Sequence, residues 1–453
     1  MQFARRLIVN AEKTKVMVFL KRPSQQYNFE WEGQPLEMVD EFKYLGILFT
    51  RDGRMKKAVE QMQIPFSLAM ARVRTLVKKE RLVDYTYAYV WLFQVMALSA
   101  SLYGCQVWST PFLHPTKAEQ TVLSRSHALF FKRILGLPYY FFTASTCCVF
   151  RECGQLPLQF YWARCVLRFW NACLASMNPL VYNGLQAEWR LAVHQHHQSG
   201  WVADLLGYLA EPGDHNAWKH PFAACVRDLA PVNLSQFARQ WVGADLAVWR
   251  DYEGREPFRL SNPQLSRVLC TYHCCFAVRP CDWLSWRAPH TKRSTDKPPV
   301  PRYFLVPLRP DLRTTLARFR LSAHPLRVVQ GRNGGEDYYH RICTLTNECR
   351  ATQYIQDEWH VLFRCPVFHD LRVHFEYLYD LCGLIRLSTD KIHAFMNQRN
   401  VTEVAKFVQQ LLNRVENMME APTTQFTQRF SEWLDCISPF FYGYSPMGFV
   451  PRM

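Results

Sequence analysis

The chain has no adjacent pair of aspartates anywhere in its 453 residues. Paired carboxylates are the minimum for a two-metal polymerase or nuclease centre, so no contiguous motif here supplies one. A Walker-type glycine-rich loop, an HExxH motif and a GxSxG elbow are missing too. Their absence removes the common signatures of nucleotide hydrolysis, zinc proteolysis and serine hydrolysis. No internal repeat recurs at a fixed period, which excludes solenoids and propellers. The first residues, Met1 to Val16, hold no apolar run of the length a signal peptide needs. An intracellular chain, nuclear or cytoplasmic, is therefore expected. Acidic residues are outnumbered, 38 against 54 basic ones, for a formal charge of +16. That imbalance attracts polyanions, nucleic acid first and anionic membrane second.

What is present is the composition of a folded protein, 49% hydrophobic and 15% aromatic. A disordered chain of this length would be poorer in aromatic and β-branched residues. The length suits two or three domains. The 16 cysteines are scattered, and Cys105, Cys165 and Cys173 sit inside apolar helical text. This is the pattern of reduced, buried thiols and not of a disulfide framework.

Along the chain, residues 14–19 read as a short buried strand and 29–49 as a hairpin. Beyond Gly53 the text turns helical. Met55 to Lys79 is amphipathic and rich in bases, and Pro65 predicts two helices or a kinked one. Asp84 to Leu185 reads almost wholly as helix, with breaks at Pro111/Pro115, Gly136–Pro138 and Gly154–Pro157. Its aromatics Phe130, Phe131, Tyr161, Trp162, Phe169 and Trp170 read as core. Tyr85 to Cys105 carries no charge and is about long enough to span a bilayer. It also contains Thr86, Gln94, Ser99, Ser101 and four tyrosines. A buried helix accounts for it as well as a membrane span does, and no membrane partner is expected. The fold class expected is mainly α, with a small β hairpin at the N-terminus, a helical middle and a small C-terminal unit. The divisions are residues 1–53, 54–185, 186–286, a Pro-rich charged linker 287–302, and 303–453.

The sharpest chemical pattern is Cys343-x5-Cys349-x10-His360-x4-Cys365. A structural zinc site takes four nitrogen or sulfur ligands at tetrahedral corners. His360 and Cys365 fall near one helix end, and Pro366 stops that helix. On spacing alone, zinc competes with ordinary cysteines in a cysteine-rich chain, because the first gap is wider than in most zinc knuckles. The acidic pair Asp357-Glu358 lies between two of the ligands and reads as a surface or supporting feature. A second group, Cys270, His273, Cys274, Cys275 and Cys281, lies in bulky apolar text that suggests a buried element. Lys56, Lys57, Arg72, Arg74, Lys78, Lys79 and Arg81 lie on or beside the first long helix. If they share one side they can neutralise phosphates along a duplex; the alternative is a solvated face.

Several segments together resemble the reverse transcriptase of non-LTR (LINE-type) retrotransposons. Asn10-Ala-Glu-Lys13-Thr14-Lys15 is similar to the family's palm strand N-x-x-K-T-K, which follows its catalytic F/Y-x-D-D. Phe42-Lys43-Tyr44-Leu45-Gly46-Ile47 is similar to its primer-grip hairpin, with Gly53 at the downstream turn. Tyr103-Gly104 through Trp108 resembles the Y-G-x-x-x-W beyond the thumb. Lys132–Pro138, Arg151–Leu158 and Leu167–Asn171 resemble the segments after it. Ala317–Leu326, Gly331-Arg332 and Arg341 through Pro366 resemble the CCHC zinc-knuckle region near the end of the polyprotein.

The resemblance implies a C-terminal part of such a polyprotein, whose fingers and catalytic aspartates would precede residue 1. It implies structural zinc on Cys343, Cys349, His360 and Cys365, with magnesium only in the full-length enzyme. It implies partners as well: an RNA template, a DNA primer and the N-terminal polymerase half. Lys13 and Lys15 would lie beneath the incoming nucleotide, and Lys43, Tyr44, Leu45 and Gly46 would hold the primer end. Lys56, Lys57, Arg72, Arg74, Lys78 and Lys79 would track the duplex as a thumb. The other readings are a stand-alone zinc-dependent nucleic-acid-binding protein domesticated from such an element, and a membrane or scaffold protein using the 85–105 helix.

Overall fold

The computed structural model describes residues 13–19, 28–114, 121–137, 149–150, 152–210, 218–241, 301–321, 323–333, 336, 338–383, 392, 394–396 and 398–419. Most are helical, with a little strand near the N-terminus. The second cysteine group, residues 10–12, Pro115, Pro138, Arg151, Ser322 and nearly all of the linker lie outside them. The chain divides into two compact units. One comprises Met1–Ala323 with Phe375–Lys406, the other His324–His374 with Phe407–Met453.

The first unit begins with short strands: β1 (Lys15–Val16), β2 (Glu30–Trp31), β3 (Gln34–Pro35), β4 (Glu37–Met38), β5 (Glu41–Tyr44) and β6 (Ile47–Thr50). The single hairpin expected over 29–49 is in fact two. β2 pairs with β3 around Glu32-Gly33, β5 pairs with β6 around Leu45-Gly46, and β4 turns aside to run parallel to β1. Both turns place two successive residues at positive φ, the backbone that matches the twist of a two-residue hairpin.

Helix α1 (Lys56–Lys79) follows, unbroken through Pro65. The proline lies on the exposed side. The buried stripe Ala58, Met62, Phe66, Met70, Val73 and Val77 continues across it. Burial of that stripe outweighs the one backbone hydrogen bond the proline removes. Next come α2 (Thr86–Leu92), a π-helical turn (Phe93–Ala97) and α3 (Leu98–Leu102), ended by Gly104 at φ 62°. The uncharged 85–105 segment is thus one helical run with a π-helical insertion, ended at Tyr103-Gly104. Among the described residues no helix is long and apolar enough to cross a membrane.

Further helices of this unit are α4 (Cys105–Trp108), α5 (Val122–Ile134), α6 (Leu158–Leu174), α7 (Pro179–Val193), α8 (Trp201–Leu209), α9 (His220–Arg227), α10 (Arg302–Leu305) and α11 (Pro310–Arg320). Phe93 forms the hub of the core, with Phe66, His127, Phe130 and Phe131 rings 4.9–6.1 Å away. Trp108 packs edge-on against Trp162 at 5.4 Å. Of the aromatics expected in the core, Phe130, Phe131, Trp162 and Trp170 are buried, Tyr161 is half-buried and Phe169 is exposed.

Helix α11, which the sequence reading grouped with the zinc ligands, packs into this first unit. Arg313 donates to the Val83 carbonyl at 2.7 Å, and the Leu308 amide donates to that of Asp84 at 2.9 Å. A Cβ on Gly136 would lie 2.0 Å from Thr314 Oγ1, so the chain passes Thr314 at a distance only glycine permits. The Arg320 guanidinium pairs with the Glu152 carboxylate by Nε at 2.5 Å, both fully buried.

In the second unit, α12 (Arg327–Asn333), α13 (Asn347–Ala351), α14 (Glu358–Phe363) and α15 (His369–His374) surround a short antiparallel bridge, Ile342 to Ile355. Arg341 ties this bridge to α12 by donating to the Val328 carbonyl at 3.1 Å. Helix α16 (Asp380–Gly383) belongs to the first unit, and α17 (Val401–Met419) begins in the first unit and continues in the second from Phe407. Within the second unit Arg414 grips Asp370 through both guanidinium nitrogens, at 2.6 and 2.8 Å.

Candidate metal centre and nucleic-acid interface

Each of the four candidate ligands is placed by local structure. The Cys343 amide donates to the Tyr354 carbonyl at 2.7 Å, across the bridge. Thr346 caps α13 by accepting from the Cys349 amide at 3.0 Å. Asp357 caps α14 in the same way, accepting from the His360 amide at 2.8 Å. Cys349 and His360 therefore hold the same position, three residues into a capped helix. Just past α14, the Cys365 amide folds back on the His360 carbonyl at 2.7 Å, and Pro366 follows.

These elements bring one donor atom from each of Cys343, Cys349, His360 and Cys365 to within 4.8 Å of one another, all buried. Four donors about 2.1–2.3 Å from a tetrahedral zinc lie roughly 3.5–3.8 Å apart. The observed Cys349 Sγ to Cys365 Sγ distance is 3.9 Å, and Cys349 Sγ to His360 Nε2 is 3.4 Å. The Cys3His cluster can therefore hold a metal ion, and its donor set is consistent with zinc. Hydrogen bonding from the Cys365 thiol and from His360 outweighs burial and holds Cys343 down to about 4. The neighbouring Cys343 pushes Cys365 up, and burial adds to it.

The supporting residues are specific. Gln356 Nε2 approaches Cys343 Sγ at 3.8 Å. Tyr354 lies 5.3 Å from the His360 ring. His360 Nδ1 is buried without a hydrogen-bond partner, so packing and not a second hydrogen bond orients this ring. The acidic pair divides its roles. Asp357 is the helix cap, and Glu358 is no surface group: it is buried and bonded to His324 Nε2 at 2.9 Å. A cavity of about 350 Å³ opens beside the ligands Cys349 and His360, walled by Tyr354, Phe363 and Arg364.

In the first unit, the primer-grip-like residues border a groove of about 600 Å³. Lys43 and Gly46 come from the β5–β6 hairpin, Gln61, Met62, Ile64 and Pro65 from α1, and Ser99, Ala100 and Tyr103 from α3 and its end. Tyr44 and Leu45 project at the turn and are exposed. The Tyr103 hydroxyl donates to the Leu45 carbonyl at 2.7 Å. A Cβ on Gly46 would lie 3.1 Å from the Tyr103 ring, and one on Gly104 would lie 2.4 Å from Ile47. The hairpin and the Tyr103-Gly104 motif are thus one assembly.

The lysines and arginines singled out from the sequence differ in circumstance. Lys15 is bonded to Glu37 across the β1–β4 pair, and exposed Lys13 precedes it. Lys57 is paired with Glu41, whose hydrogen bond raises its pKa, and Lys56 approaches Glu60 at 3.9 Å. Among the described residues, Lys43, Arg72, Arg74, Lys78, Lys79 and Arg81 have no acidic partner. The helical repeat of 3.6 residues sets Lys56, Arg74 and Lys78 along one edge of α1, and Lys57, Arg72 and Lys79 along the other. The two rows bound the solvent-facing half of the helix, opposite the buried stripe.

No family model, no curated protein and no solved structure matches this chain.

Proposed function

We propose that the chain is a nucleic-acid-binding part of a non-LTR reverse transcriptase, holding RNA–DNA duplex at the hairpin groove and stabilised by structural zinc. The observation that carries this reading is the meeting of three distant motifs at one groove. The Lys43–Ile47 hairpin, the base-flanked helix α1 and the Tyr103-Gly104 corner adjoin, with Tyr103 bonded to Leu45. Backbone at a glycine turn can approach a sugar–phosphate closely, and unpaired bases supply charge without sequence readout. Zinc on Cys343, Cys349, His360 and Cys365 would fold the second unit, with no role in chemistry; its charge neutralises the crowded thiolates.

The test is binding of the isolated chain to an RNA–DNA hybrid across a salt series. The expected result is affinity falling by about tenfold or more between roughly 50 and 200 mM salt, as phosphate contacts release counterions. Binding that ignores salt, or no binding at low salt, overturns the reading.

A further inference from the structure

The exposed side of α2 carries two aromatics that the core does not use. Tyr87 and Trp91 are four residues apart, so they stand one above the other on one face. The inward face is taken by Thr86, Tyr89, Val90 and Phe93, while Tyr87 keeps 49% and Trp91 51% of its surface exposed. Val95, 55% exposed, extends the line into the π-helical turn, a local insertion that often marks functional sites. Further along the same helical run, Ser99 and Ala100, with Tyr103 just past its end, line the groove.

Charge brackets this face. At one end the last turn of α1 carries Lys78 and Lys79 and the connection after it carries Arg81 between Glu80 and Asp84; at the other Lys43 borders the groove. None of the four has an acidic partner among the described residues. An apolar face meant for a protein helix needs no such cations, whereas a polyanion with flat apolar faces needs both.

We propose that Tyr87 and Trp91 form a stacking track for single-stranded nucleic acid leading into the hairpin groove. The proposal rests on the nucleic-acid reading above and adds which strand form this face takes. The spacing decides the form. Residues four apart on a helix differ by about 6 Å in height. Bases in a duplex strand follow one another every 3.4 Å or so and cover each other's faces. Rings about 6 Å apart therefore cannot match stacked duplex bases, but they do match a strand drawn out so that each base faces an aromatic ring. The backbone of that strand passes between the cations at the two ends.

The test compares the full chain with two variants, by fluorescence anisotropy at low salt. The probes are labelled oligo-dT of about 15 nucleotides and a blunt duplex of equal length. Tyr87→Ala/Trp91→Ala is expected to weaken oligo-dT binding by about tenfold or more, leaving duplex binding within about twofold. Tyr87→Phe/Trp91→Phe is expected to keep oligo-dT binding near the parent value. An alanine variant that binds oligo-dT as tightly as the parent, or that loses both probes equally, overturns the track while leaving the nucleic-acid reading in place. A parent chain that binds neither probe overturns both. A parent that binds neither probe but self-associates, with the alanine variant monomeric, makes the face a protein interface and overturns the proposal.

Discussion

The Tyr103 hydroxyl reaches the Leu45 carbonyl at 2.7 Å, joining residues 58 positions apart. Leu45 is a poor residue for its place. It is 71% exposed and stands at φ 46°, in the left-handed region that a side chain with a Cβ normally avoids. Tyr103 holds the turn from outside, and its ring lies where a Cβ on Gly46 would meet it. The turn is therefore set by a distant corner as much as by its own two residues.

Replacing Tyr103 by Phe keeps the ring and deletes only that hydrogen bond. A cost of about 1 kcal/mol is expected, felt first at the hairpin. Amide exchange of the 43–48 segment should accelerate more than exchange in α6. Equal acceleration in both would show that the bond does not act locally.

Cys365→Ser removes one of four converging donors. Bound zinc, counted by elemental analysis of the purified chain, should fall from about one per chain to near zero. The second unit should then become sensitive to protease, while Cys173→Ser, which is not one of the four donors, leaves the metal content unchanged. Full metal content in Cys365→Ser would sink the assignment.

The Glu152–Arg320 pair is buried at both ends. Glu152→Gln strands a buried guanidinium and should destabilise the first unit by about 3 kcal/mol or more. Replacing both partners with apolar residues, as in Glu152→Leu/Arg320→Met, should cost less than the single change. Denaturant titration of the parent, the two single variants and the double variant gives the coupling directly. Additive costs would mean that the pair does not act as a unit.

His127 lies between Phe93, at 4.9 Å, and Phe150, at 4.4 Å, and neither ring nitrogen has a hydrogen-bond partner. Burial pushes its pKa down to about 3. Unfolded, it titrates near 6.5, so its contribution is complete above about that pH. Below it the unfolded chain takes up a proton that the folded chain refuses, and stability falls by about 1.4 kcal/mol per pH unit toward pH 3. His127→Phe should remove this component. Urea midpoints of the two proteins should converge as pH drops from about 7.5 to 5 if the parent starts more stable, and otherwise diverge in favour of the variant. Parallel pH profiles would be the contrary result.

The isolated chain is expected to extend no primer, because its sequence holds no adjacent aspartates of the kind that two-metal polymerase chemistry uses. Incorporation of nucleotides with magnesium, absent in a mock preparation, would refute this.

Local features of the sequence predicted local structure well. The helical repeat in 55–79, the buried aromatics of α5 and α6 and the four ligand positions could be read because apolar period and ligand spacing are written in neighbouring residues. The break at Gly104 was less visible, since one glycine in apolar text is a weak signal until its positive φ is seen. Pro65 misled in the other direction, because a proline's cost is local and α1 is held by a face buried along its whole length.

By itself the sequence determined a mainly helical, basic chain with a Cys3His set at usable spacing. The tertiary structure alone decided that Tyr103 closes the hairpin, that Arg320 finds Glu152, and that Glu358 goes inward to His324. Partners far apart in a chain leave no periodic trace. Buried hydrogen-bonding groups must be satisfied, but which groups satisfy them is set by how the helices pack.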